Sequence, residues 1–147
     1  MRRDARALTR NESRPQAQSG MAEETQVSKN TPAVLSEDEI QARLERDLPA
    51  WTYSDNWIRR TFKTGGWPYT LMVVNAIGYR AEAAFHHPDL AVSWGHVTVK
   101  LQTHSAGGIT EMDLALASDI EELATWLPGD NSPFDGFEKG MKKKWVR

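Results

Sequence analysis

Apolar positions between residues 34 and 128 alternate between two periods, one helical and one strand-like, in a fixed order. Ile40, Leu44 and Leu48 form one edge at helical spacing. Ser36 and Glu39 have the spacing of a capping box, Leu35 and Ile40 that of a hydrophobic staple, and Pro49 ends the helix. Trp51 to Tyr53 reads as a short strand that turns over Ser54-Asp55-Asn56 into a second one, where Trp57, Arg59 and Thr61 alternate with Ile58, Arg60 and Phe62. Gly65-Gly66 breaks that pattern, and Pro68 suits the first turn of a helix. Leu71, Val74, Ile77, Ala81 and Ala84 then recur at helical spacing through Phe85, which predicts His86 and His87 on the last turn, before Pro88. Val92 to Trp94 reads as a short strand. From His96 to His104 the chain alternates again, with Val97, Val99 and Leu101 on one face and Thr98, Lys100 and Gln102 on the other. After a turn over Ser105-Ala106-Gly107-Gly108, Thr110 and Asp113 repeat the capping-box spacing, and Leu116, Ile120, Leu123 and Leu127 mark a helix ending at Pro128-Gly129.

This order, α-β-β-α-β-β-α, predicts an α+β fold of two layers: a four-stranded antiparallel sheet with helices packed on one face. It also brings His87 and His104 toward one end of the sheet. Residues 1–33 are polar and read as a disordered N-terminal tail, residues 34–128 as the folded domain, and residues 129–147 as a C-terminal extension. Within the extension, Phe134, Phe137, Met141 and Trp145 lie three or four apart, which suits a short helix docked on the domain or on a second subunit.

The formal net charge of the 147 residues is −2, so no electrostatic field argues for nucleic acid or an anionic membrane as the main partner. Cysteine is absent, which excludes a disulfide scaffold, a thiol nucleophile and any cysteine-based zinc or iron–sulfur site, and fits a reducing cytoplasm. No apolar run approaches the roughly 18 residues that a membrane helix needs. All four histidines, His86, His87, His96 and His104, fall between Glu82 and Asp113. Histidine exchanges protons near neutral pH, so proton chemistry is concentrated there. Adjacent His86 and His87 would point about 100° apart on a helix, an awkward pair for one zinc ion. Neither a Gly-x-Ser-x-Gly elbow nor a glycine-rich phosphate loop occurs. Acid–base chemistry without metal or organic cofactor remains, or binding alone.

The string Glu82-x-x-x-His86-His87-Pro88, Trp94 after five residues, His104 after nine more, and then Asp113 resembles the signature of the pterin-4a-carbinolamine dehydratases. The resemblance extends from about Ser36 to Leu127 and includes Trp51, the Phe62-Lys63 strand and the Thr103-His104 pair. It implies a two-layer α+β domain that eliminates water from a 4a-hydroxytetrahydropterin, recycling the cofactor of aromatic amino acid hydroxylases. It implies His86 and His104 as general acids, and His87 as the residue that holds the pterin and acts as base. It further implies Glu82 as an orienting carboxylate, Pro88, Thr103, Ser105 and Ala106 as pocket segments, and Trp51 as a nearby aromatic. Some relatives carry a cysteine at Ala106, and His96 has no counterpart in the signature. Asp113 reads first as the third helical residue of a capping box rather than as a catalytic group. The resemblance also implies a homodimer or homotetramer. It includes members that act without catalysis, as dimerisation cofactors or assembly factors, and these form the rival reading.

Met21 reads as the natural start of the chain. Deletion of residues 1–20 is therefore expected to leave the thermal unfolding curve and the activity of the protein unchanged; a loss of either would refute that reading.

Overall fold

The structure, a computed structural model, describes residues 32–134 and 146–147. The expected tail over residues 1–31 and the expected helix through Phe137, Met141 and Trp145 lie outside the described residues. Seven elements follow in the expected order: α1 (Glu37–Asp47), β1 (Thr52–Ser54), β2 (Trp57–Lys63), α2 (Trp67–Ala84), β3 (Asp89–Ser93), β4 (His96–Leu101) and α3 (Glu111–Thr125).

Both capping boxes form. Ser36 and Glu39 bond reciprocally at the start of α1, and Thr110 and Asp113 do so at the start of α3. The Ser36 backbone N–H and hydroxyl hold the Glu39 carboxyl below the usual glutamate range. β1 and β2 are joined by Asp55 and Asn56, both at positive φ (51° and 63°), the two-residue turn whose twist matches the flanking strands.

The sheet is antiparallel throughout, in the order β1-β2-β4-β3. β2 and β3 therefore run in the same direction with β4 inserted between them, and α2 makes the crossover. The register Ile58↔Leu101 to Phe62↔Val97 puts Ile58, Phe62, Val97, Val99 and Leu101 on the face that the helices cover. Ile40, Leu44, Val73, Ile77, Leu116, Ala117 and Ile120 complete the core from the helix layer. No helix of the described residues is long and apolar enough to cross a membrane.

The buried column of α2 differs from the expected one. Thr70, Val73, Ile77 and Ala81 face inward, while Leu71 is exposed and Val74 only half-buried. The cause is a threonine in a core position. The Thr70 hydroxyl bonds to the hydroxyl of Thr64 and to the carbonyls of Gly66 (3.2 Å) and Trp94 (3.1 Å), so a polar side chain is buried without loss. A count of apolar residues alone therefore selects Leu71 over Thr70, while Ile77 and Ala81 are buried as expected. Trp94 lies across Gly66 at the start of α2, where φ is 145° and a Cβ would meet the indole at 3.3 Å.

Candidate active site

The site is built where α2 ends. Phe85 adopts the left-handed conformation (φ 50°, ψ 38°), its N–H donates to Glu82 O at 3.1 Å, and the His86 N–H donates to Ala81 O at 3.1 Å. These two bonds form a Schellman closure. His86 and His87 thus lie just past the helix rather than on its last turn, and Glu82 occupies that turn. Asp89 at the start of β3 pairs with Lys100 near the end of β4. The segment entering β3 (His86, His87, Pro88) and the segment leaving β4 (Gln102, Thr103, His104) therefore meet at one end of the sheet.

Asp113 joins them. Its carboxylate is fully buried, at 0% exposure. One oxygen, Oδ2, accepts from the Thr110 N–H (2.8 Å) and the Thr103 hydroxyl (2.7 Å). With the Thr103 proton spent on Asp113, the Thr110 hydroxyl donates to Thr103 Oγ1 (2.8 Å) and itself accepts from the Met112 N–H (3.2 Å). The other oxygen, Oδ1, stands 2.7 Å from His86 Nε2. A carboxylate only accepts, so Nε2 is the protonated nitrogen and Nδ1 is left to carry an exchangeable proton. The His86 side chain is 10% exposed, which holds the ring against the protein while leaving it reachable.

His87 and His104 are more open. His87 Nε2 lies 2.9 Å from Glu82 Oε2, and its ring meets the Phe85 ring edge-on at 5.8 Å. His104 follows Thr103 into a tight turn in which the Thr103 N–H donates to Gly108 O (3.0 Å) and the Ala106 N–H to Thr103 O (3.0 Å). Asn56 Nδ2 donates to Gly107 O (2.7 Å), tying this turn to the β1–β2 hairpin. The His104 ring packs edge-on against Trp57 at 5.5 Å, and Lys100 Nζ lies 4.1 Å from the Trp57 ring centroid.

Of the residues singled out from the sequence, Glu82, His86, His87, Pro88, Thr103, His104, Ser105 and Ala106 share this end of the sheet. Trp51 has a core position. It is 3% exposed, its indole N–H donates to Glu121 Oε2 (3.0 Å), and its ring packs edge-on against Phe62. His96 begins β4, at the opposite end from His104. Trp57 and Phe85 lie outside the residues that the sequence pattern selects, although Trp57 shares a strand face with Arg59, the cross-strand partner of Lys100. Among the described residues no group of three or more His, Asp or Glu side chains converges as metal ligands would. Two concavities lie elsewhere: one of about 270 Å³ between α1 and α3, lined by Arg43, Leu48 and Glu111 among others, and one of about 540 Å³ beside Lys63, Trp94, His96 and Arg147. Behind the histidine corner lies the buried carboxylate of Asp113.

Residues 33–123 match the sequence profile of the family described as pterin 4 alpha carbinolamine dehydratase. A protein of Aquifex aeolicus named "Putative pterin-4-alpha-carbinolamine dehydratase" is 52% identical over 89 residues, covering 60% of this chain and 89% of the relative. A Roseiflexus protein of the same name is 45% identical over 89 residues, covering 60% and 95%. The crystal structure of a Brucella melitensis protein, titled a transcriptional coactivator/pterin dehydratase, superposes with a TM-score of 0.59 at 29% identity, covering 63% of this chain and 99% of that one.

Asp113→Ala leaves the Thr103 hydroxyl, the Thr110 N–H and His86 Nε2 without their acceptor. Urea denaturation is expected to show a loss of about 2–4 kcal/mol, the sum of a lost cap and stranded buried donors. A loss below about 0.5 kcal/mol, the size of an ordinary surface substitution, would show that the buried network is not formed.

Proposed function

The chain belongs to the pterin 4 alpha carbinolamine dehydratase family, and from that premise we propose that it eliminates water from a 4a-hydroxytetrahydropterin by histidine acid–base catalysis, giving the quinonoid dihydropterin. The observation that carries this reading is the orientation of His86. Its Nε2 is bonded to a buried carboxylate at 2.7 Å, and two further histidines flank it at the same end of the sheet.

Hydroxide is a poor leaving group, so the C4a–O bond breaks only as the oxygen takes a proton. His86, protonated at Nδ1, supplies that proton, and the oxygen departs as water. The C4a–O electrons leave with the oxygen. The ring nitrogen next to C4a loses its proton to His87, and its N–H electrons form the new double bond to C4a. Glu82, 2.9 Å from His87 Nε2, orients that base. His104 is the second acid, on the other face or for the other stereoisomer. Exchange with solvent returns the proton from His87 to His86, so no net proton is consumed. The chemistry asks for neither a metal nor an organic cofactor. The quinonoid product is the form that a reductase returns to the tetrahydropterin of aromatic amino acid hydroxylases, which gives the protein its functional link to them. A chain without cysteine suits a cytoplasmic setting for this work.

A homodimer or homotetramer goes with this reading. The outer edge of β3 has no neighbouring strand among the described residues, and Trp67, Leu71, Met72 and Tyr79 are exposed along α2. The same apolar helix face favours the second reading, a non-catalytic interaction protein on this fold.

The two separate on turnover. With 4a-hydroxytetrahydropterin generated in place by a hydroxylase, the wild-type protein is expected to accelerate dehydration. His86→Ala, with unchanged circular dichroism, is expected to lose about 10²–10⁴-fold, the usual contribution of a positioned proton donor, and His104→Ala to lose a similar factor on the stereoisomer or face that His104 serves. A wild-type protein no faster than buffer would leave the interaction reading standing.

A further inference from the structure

We infer that Phe85 is a stacking face for the pterin ring, a role that rests on the dehydratase reading above and extends it to a residue outside the histidine motif. Phe85 has a left-handed backbone (φ 50°, ψ 38°), where the Cβ of an L-residue crowds its own carbonyl and glycine or asparagine is the ordinary occupant. A bulky side chain in this region is an outlier. Closure of α2 does not require it, because both closing hydrogen bonds are made by backbone groups. The core does not require it either, because Phe85 is 82% exposed.

Backbone strain and an exposed aromatic ring thus coincide at one residue, and that residue directly precedes His86. Strain kept at such a corner points to function rather than to folding. The Phe85 ring and the His87 ring meet at 5.8 Å with their planes 75° apart, so together they make an L-shaped corner at the end of α2. A flat bicyclic heteroaromatic fits that shape, since one of its faces lies on the phenyl ring while its edge meets the imidazole. An aliphatic ligand would gain neither contact. The corner thus selects a planar ring system and holds it beside the groups that exchange its protons.

Three variants test this: Phe85→Gly and Phe85→Asn, which remove the ring and suit the left-handed backbone, and Phe85→Tyr, which keeps the ring. The readouts are KM and kcat for the 4a-hydroxytetrahydropterin, Kd for 7,8-dihydrobiopterin by calorimetry, and Tm. Phe85→Gly and Phe85→Asn are expected to raise KM and Kd about 5- to 20-fold, the scale of one lost aromatic stacking contact, with kcat within about 3-fold. Their Tm is expected to equal or exceed that of wild type, because backbone strain is relieved. Phe85→Tyr should behave as wild type. Unchanged KM and Kd in the glycine and asparagine variants, or a lowered Tm in them, would overturn the stacking role and make the ring structural or idle. A wild-type protein that neither turns over the substrate nor binds dihydrobiopterin would overturn the dehydratase reading itself, and the stacking role with it.

Discussion

One buried carboxylate holds this end of the molecule together. Asp113 carries a charge into a fully buried position, which is costly unless every lone pair is used. Here donors converge on it from three parts of the chain: the Thr110 N–H at its own helix start, the Thr103 hydroxyl beyond β4, and His86 Nε2 beyond α2. Those segments lie outside the helices and the four-stranded ladder and are held by single backbone bonds, such as Thr103 N–H to Gly108 O and His86 N–H to Ala81 O. The carboxylate ties these separate pieces to one another. It also gives one imidazole a defined tautomer, because an acceptor-only partner at Nε2 leaves Nδ1 for proton exchange. Folding and the proposed chemistry draw on the same four hydrogen-bonding groups.

The rest of the fold brings those segments within reach. The β2-α2-β3 crossover returns the chain to the end of the sheet where β4 finishes, and the Asp89↔Lys100 register sets the approach of the two strand ends. The Schellman closure of α2 turns the chain sharply, so that His86 is aimed inward at α3 while His87 stays at the surface with Glu82. Removing the histidines from the helix by one or two residues changes what they can do. Two adjacent residues on one helix would point apart into solvent and core by a fixed 100°; past the helix, each is aimed by its own carboxylate.

Much of this was legible in the residues. The periods 3.6 and 2, the two capping boxes and the Ser54-Asp55-Asn56 turn indicate the seven elements and their order, because each rests on local chemistry, although Ser54 belongs to β1 and β3 spans Asp89–Ser93 rather than Val92 to Trp94. His87 and His104 at one end of the sheet followed from that order. Other features were not legible, each for a stated cause. Thr70 took a core position through hydrogen bonds that no hydropathy count registers. Phe85 ended α2 in a conformation that its residue type disfavours, so the helix boundary was set late. The Thr110–Asp113 spacing read as a cap and is one, and that sufficient local explanation concealed the long-range bond from Asp113 to His86. Trp51 is in the core and bonded to Glu121, a partner 70 residues away that no local pattern indicates. Trp57 reads as an ordinary strand residue, although it packs on His104.

The tautomer of His86 tests the central claim most directly. Long-range ¹H–¹⁵N correlation of the ¹⁵N-labelled protein at a pH where His86 is neutral should show the proton on Nε2, with Nδ1 bare, and Asp113→Asn should disturb that signature. A neutral His86 protonated at Nδ1, or one exchanging rapidly between both tautomers as a free imidazole does, would contradict the account, because Asp113 would then not be the group that aims it.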